Sequence, residues 1–389
     1  MVRKIRLAVL MLLLMVSVAF CGYGSVERPS ATADIGQPSE KPQTINLVAV
    51  QMRARLDSYR DDVSFRQTIM RLMDRAAEKT QLADDTLVVF PENVGTLAVV
   101  ANNHESVEQA DTLEEGIENV VRGNLTGVLF QKSRRRVSWA RALFLARQQQ
   151  MAQIYFDTFS EAASRHGVYL AAGTAALTDA QMAEYVPADV PGSPDEQRAS
   201  DRTNVYNVSV VFGPRGQVLG VARKTHLIDL EGPEGLDFSS GEVGGLQPID
   251  TPLGTLGSAI CLDAFRTQVW RHLHDNGVQI LLQPSANPVP WEPWQQEEWL
   301  FSAAEAVNVG LFPYAVNPML TGSILDLGFH GQSGIFASPE VMDKINVEGE
   351  AISGYQDIDG PDVFLRTTKD PSDEQIIHIR VPHPDLLNR

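Results

Sequence analysis

A repeated order of apolar strands and amphipathic helices constrains this chain more than any other feature. "INLVAVQM" (Ile45–Met52) is dense enough in apolar residues for a strand buried on both faces. "FRQTIMRLMDRAAEKT" (Phe65–Thr80) then places apolar residues at helical spacing, and "DTLVVFPEN" (Asp85–Asn93) returns to a buried strand. Strand, helix, strand in succession predicts an α/β fold. The alternation continues with a strand at "VYLAAGTAAL" and a hairpin at "NVYNVSVVFGPRGQVLGVARKTHL", broken by "GPRGQ". "LQPIDTPLGTLGSAIC" reads as two further β runs broken at "TPLG", and "FRTQVWRHLHDNG" as a helix. Strands at "VQILLQPSAN", "LFPYAVNP" and "QSGIFASP" and a helix at "PWQQEEWLFSAAEAVNVG" complete the pattern.

The N-terminus follows different rules. A basic start, Arg3, Lys4 and Arg6, precedes an apolar run of 14 residues, Leu7–Phe20, and then small and polar residues. This is the pattern of a secretory signal peptide over residues 1–21, and the run is shorter than the roughly 20 residues a membrane span needs. Residues 22–44, rich in Pro, Ser, Thr and charge, read as a flexible tether. One folded domain, 45–389, is expected to follow, located outside the cytoplasm: secreted, periplasmic or held to a membrane at its N-terminus. Cys21, next to the apolar run, offers a lipid-anchor site, but the bulky Phe20 before it departs from lipoprotein signals.

Charge and cysteine count narrow the function. A net charge of −17 repels phosphate backbones, so nucleic acid is not an expected partner. The two cysteines are Cys21 and Cys261, which leaves no disulfide framework in the body of the chain and no cysteine-based zinc site. No metal site is expected: His272 and His274 are two apart on a helix and point to different faces. Phosphate loops of the GxxxxGK[ST] type, GxGxxG turns and GxSxG elbows are absent from the sequence.

Three reactive side chains stand at or just beyond the ends of apolar strands, where open α/β sheets build their sites: Glu92 in "LVVFPE", Lys224 in "VLGVARK" and Cys261 in "LGSAIC". With "PSANP" (Pro284–Pro288) and "GQSGIFASP" near the end, these motifs resemble the nitrilase superfamily of carbon-nitrogen hydrolases over Ile45 to about Val381. The resemblance implies a four-layer αββα sandwich and a catalytic set of Glu92, Lys224 and Cys261. It also implies a second glutamate: Glu234, seven residues before Gly241, with Glu231, closer to Lys224, as the competitor. Ser240 stands where the family often has proline.

In the chemistry so implied, Glu92 takes the thiol proton while Cys261 attacks a carbonyl or nitrile carbon. Lys224, whose ammonium is expected to lower the thiol pKa, stabilises the oxyanion together with the backbone N–H of Leu262. No cofactor is implied, and a homodimer or larger homo-oligomer is. Leu262 replaces the aromatic residue common after the nucleophile, which favours an amidase acting on a small-molecule amide over a nitrilase. An N-acyltransferase and a non-catalytic binding protein of the same fold remain alternatives. The 75 residues between Glu92 and Val168 exceed the family's usual connection and point to a helical insertion near 104–150, either packed over the site or facing a membrane.

Overall fold

The computed structural model describes residues 41–345 and 354–387. The expected signal peptide and all of the expected tether up to residue 40 lie outside these residues. Two six-stranded sheets lie at the centre. The first runs Gln375–Pro382, Thr44–Gln51, Thr86–Val89, Tyr169–Leu177, Tyr206–Phe212 and Val218–Arg223 in spatial order. The second runs Ile249–Thr251, Gly254–Ser258, Ile280–Leu282, Tyr314–Asn317, Gly334–Ala337 and Phe364–Thr367. Read in these orders, both sheets pair their neighbours as antiparallel, parallel, parallel, antiparallel, antiparallel. The chain therefore builds the same strand arrangement twice.

Period-2 geometry shows how the layers stack. Along Thr44–Gln51, Ile45, Leu47 and Ala49 join a core shared with Leu256, Ile280, Leu282, Val316 and Ile335 of the second sheet. Val48 and Val50 face the other way, into a core with Phe65, Ile69 and Leu72 of helix Asp62–Lys79 and with Tyr155 and Phe159 of helix Trp139–His166. On the far side, Ala259, Ile260 and Leu281 pack with Val269, Trp270 and Leu273 of helix Thr267–Asp275 and with Ala303, Ala306 and Val307. Helices, sheet, sheet, helices give the αββα sandwich. Burial on both faces is why the strands read as continuous apolar runs.

The long connection after Glu92 folds as helices. His104–Glu108, Leu113–Gly123 and Leu125–Arg135 lead into Trp139–His166. Thr112 and Ser138 cap the second and fourth by accepting from the N–H groups of Glu115 and Arg141. Residues 183–201 contain the C-terminal end of the short helix Asp179–Tyr185, whose N-terminus carries a Thr178–Gln181 capping box, and all of the short helix Glu196–Ser200. Among the described residues no helix is long and apolar enough to cross a membrane.

Candidate active site

Glu92 lies three residues past strand Thr86–Val89, Lys224 directly follows Val218–Arg223, and Cys261 lies three past Gly254–Ser258. The folded chain brings all three together. Lys224 Nζ donates to Glu92 Oε1 at 2.7 Å and pairs with Glu231 Oε2 at 2.6 Å. The Cys261 thiol is within hydrogen-bonding reach of the Glu92 carboxylate and of the Ala286 backbone. Glu92, Lys224, Glu231 and Cys261 are all buried.

Glu234 does not join them. It sits exposed on the loop, while the 3₁₀ turn Asp229–Glu231 swings Glu231 back toward Lys224. The Ile228 N–H donates to Glu231 Oε2 at 3.1 Å and fixes that return. The seven-residue spacing to Gly241 therefore points to a glutamate that the fold leaves outside the buried cluster. Gly241 answers to a different constraint: its N–H donates to the Lys224 carbonyl at 2.8 Å, and a Cβ there would sit 2.9 Å from the Arg223 Cβ. That packing holds wherever the glutamate lies in the loop between.

Asn207 is a further member of the cluster. Its Nδ2 donates to Glu92 Oε1 at 2.9 Å and to Glu231 Oε1 at 2.7 Å, and its carbonyl accepts the Lys224 N–H at 2.8 Å. One amide thus bridges two carboxylates that flank one ammonium. In the sequence, its signal was a lone Asn inside "VYNVSVVF", a residue type depleted in strands.

Cys261 opens the 3₁₀ turn Cys261–Phe265 with φ +47°, a left-handed conformation that L-residues other than Gly, Asn and Asp rarely adopt. Its N–H donates to the Pro284 carbonyl at 3.0 Å, and its carbonyl accepts from Gln283 Nε2 at 3.4 Å. Gln283 Oε1 in turn accepts the Ala303 N–H at 3.1 Å, inside the π-helical turn Leu300–Ala304. The "QPSAN" stretch therefore clamps the strained residue from both sides. Asp263 ties the cysteine turn to the lysine loop, accepting from the Thr225 and His226 N–H groups at 3.0 and 2.8 Å and from the Thr225 hydroxyl at 2.6 Å.

Burial dominates the electrostatics. It lifts the Glu92 carboxyl to about 7, against the lowering effect of Lys224 and with a further push from Glu231. Burial works against charge on Lys224, but Glu92, Cys261 and Glu231 outweigh it and hold the ammonium above the ordinary lysine range. The Cys261 thiol is pushed well up by burial and by Glu92, and Lys224 does not reverse this. The expected lowering of the thiol pKa is thus not what this environment gives. This environment favours the protonated thiol of Cys261.

Cys261 opens onto a cleft of about 600 Å³, within the range of small-molecule sites. Leu262, Phe265, Pro288, Val289, Trp299 and Phe301 supply apolar walls, and Asp229 and Glu298 supply negative charge. His272 and His274 each bond a backbone carbonyl, of Leu246 and Leu311 respectively.

The carbon-nitrogen hydrolase family profile matches residues 47–340. The chain belongs to the carbon-nitrogen hydrolase family. It is similar to omega-amidase NIT2 of Danio rerio, 26% identical over 212 residues that cover 52% of this chain and 65% of the relative. The chain spans less than two thirds of the length of the curated relatives it matches. The fold is that of Saccharomyces cerevisiae Nit3, a nitrilase-superfamily member, with TM-score 0.52 and 17% identity over 90% of this chain and 94% of Nit3. A Helicobacter pylori carbon-nitrogen hydrolase matches with TM-score 0.54 and 17% identity over 89% and 91%.

The two glutamates give a direct contrast. Glu231→Gln removes half of the charge that balances Lys224 and should lower kcat by roughly 10²-fold or more. Glu234→Gln should change kcat less than twofold. Equal effects of the two in steady-state kinetics would break the assignment of Glu231 to the cluster's function.

Proposed function

We propose that this protein is an amidase that cleaves a small-molecule amide through a Cys261 thioester, exported from the cytoplasm by its N-terminal segment. The observation that carries the reading is the convergence of thiol, carboxylates and ammonium on one buried point at the floor of the cleft. Glu92 removes the thiol proton as sulfur bonds to the carbonyl carbon. Lys224 has two of its three N–H groups on carboxylates, which leaves the third for the developing oxyanion beside the Leu262 backbone N–H. Glu92 then passes the proton to the leaving nitrogen and the C–N bond breaks. Water attacks the thioester, giving one proton to Glu92, which returns it to sulfur as the free acid leaves.

The walls favour an uncharged or cationic substrate. Among the described residues, the cleft lining contains Asp229 and Glu298 and no Lys, Arg or His. An acyl group ending in a carboxylate would meet repulsion without a counter-ion. Export is supported by the basic start and the apolar run Leu7–Phe20, and a homodimer or larger homo-oligomer completes the reading by the resemblance to the family.

The test is turnover of a panel of neutral amides, nitriles and omega-amides of dicarboxylic acids, with an added amine at rising concentration. Neutral amides should give free acid and ammonia until the amine far exceeds physiological levels. Acyl-amine at low amine concentration would replace the hydrolase by a transferase. Because Glu92 must be ionised to act as base, kcat/KM should rise with pH through an apparent pKa near 7, and Glu92→Gln should lose both the limb and the activity. The same shift acts on stability. The folded state keeps a proton that the unfolded chain releases above about 4.3, so this carboxyl favours folding most below that pH, and its contribution is lost as pH rises toward 7.

A further inference from the structure

A second apolar cavity lies under the insertion. Leu113 and Ile117 come from helix Leu113–Gly123, Ala140, Leu143 and Phe144 from helix Trp139–His166, and Ile324 and Phe329 from the facing hairpin. Among the described residues no ionisable side chain lines it. Leu230 lines both this cavity and the cleft that holds Cys261. It is 37% exposed, although it immediately precedes the buried Glu231. One partly uncovered leucine therefore stands between two apolar spaces.

The cavity also borders the residue that follows Glu92. Asn93 follows Glu92 with φ +65°, held there by its N–H donating to Thr174 Oγ1 at 2.8 Å. Asn93 and Thr96 both line the cavity, and Asn93 Oδ1 and Thr96 Oγ1 are buried without a hydrogen-bond partner among the described residues. An apolar chain satisfies neither atom, so these two are left to the polar group of a bound substrate, while Leu113, Ile117, Leu143 and Phe144 supply apolar wall.

We infer that this cavity is a substrate subsite that takes an unbranched apolar chain of the amide, running from the cleft past Leu230. This rests on the amidase reading above. The insertion then serves specificity, because Leu113, Ile117, Ala140 and Leu143 form the wall that the shorter connection would lack. The chain can belong to the acyl group or to the leaving amine, and the two are separable by experiment.

The experiment compares propionamide with octanamide for a chain on carbon, and N-methylacetamide with N-hexylacetamide for a chain on nitrogen. In one series, kcat/KM should rise by up to about fourfold per added methylene until the cavity is full. Ala140→Phe places a ring in the cavity from a half-buried position and should cut the long-to-short ratio of that series at least tenfold. Leu230→Ala should raise the same ratio by widening the passage. A ratio near one in both series for the wild type, or one unmoved by either variant, overturns the subsite. A readout without turnover keeps this separate from the amidase proposal. Calorimetric titration of 1-octanol into Cys261→Ala should show binding that Ala140→Phe removes. If amides are not hydrolysed but octanol binding behaves this way, the subsite stands and the reaction is wrong; no octanol binding with active amide turnover sinks the subsite alone.

Discussion

Replacing Cys261 with Ala should leave a folded protein whose turnover falls by on the order of 10⁵-fold, the scale seen when a covalent nucleophile is removed. Iodoacetamide should label the wild-type peptide containing Cys261, slowly below pH 7, because the thiol rests protonated and the base beside it is Glu92. Peptide mass separates this label from any at Cys21. Retained turnover in the alanine variant would remove the thioester altogether. The backbone supplies an independent readout. Ala keeps the Cβ that makes φ +47° unfavourable, whereas Gly does not, so Cys261→Gly should be more stable than Cys261→Ala by about 1 kcal/mol in urea unfolding. If the two unfold together, Cys261 is not held in the left-handed conformation. Strain of this kind is expected where geometry serves chemistry rather than stability.

The sandwich was legible because its strands are buried on both faces. Ile45, Leu47 and Ala49 need the second sheet, while Val48 and Val50 need the helices, so the sequence shows an apolar run without alternation. Glu92, Lys224 and Cys261 could be placed near one another because each lies within three residues of a strand's end, and strand ends of a doubled arrangement meet at one edge. Glu231 and Asn207 could not be settled in this way. The direction of the Glu231 side chain is decided by the turn Asp229–Glu231, which no spacing to Gly241 encodes. Asn207 acts from the middle of the motif region only because strand Tyr206–Phe212 pairs with Val218–Arg223, which brings its carbonyl to the Lys224 N–H. The thiol's protonation state was misread for a related reason: charge neighbours can be guessed from motifs, but the degree of burial that outweighs them is a property of the packed fold.

Lys224→Met should damage turnover and stability together, because it fails on two levels. On the chemical level it removes an oxyanion donor, a loss of roughly 10²–10³-fold in kcat, and it also frees Glu92 to hold its proton more tightly than it does beside an ammonium. The base would then be neutral at the pH where it is needed, so the combined fall in kcat should exceed 10³-fold, with the acid limb moved above 7. On the structural level, Glu92 and Glu231 would face each other across Asn207 with no cation between them. Breaking a buried pair from one side costs about 3–5 kcal/mol, so the midpoint of urea unfolding should drop clearly at pH 8. Protonating the carboxylates should restore part of the loss at pH 5, because the charges that repel are then absent. The double variant Lys224→Met with Glu231→Gln should recover stability without recovering turnover. If it recovers turnover, Lys224 acts only by balancing charge, and the oxyanion role falls.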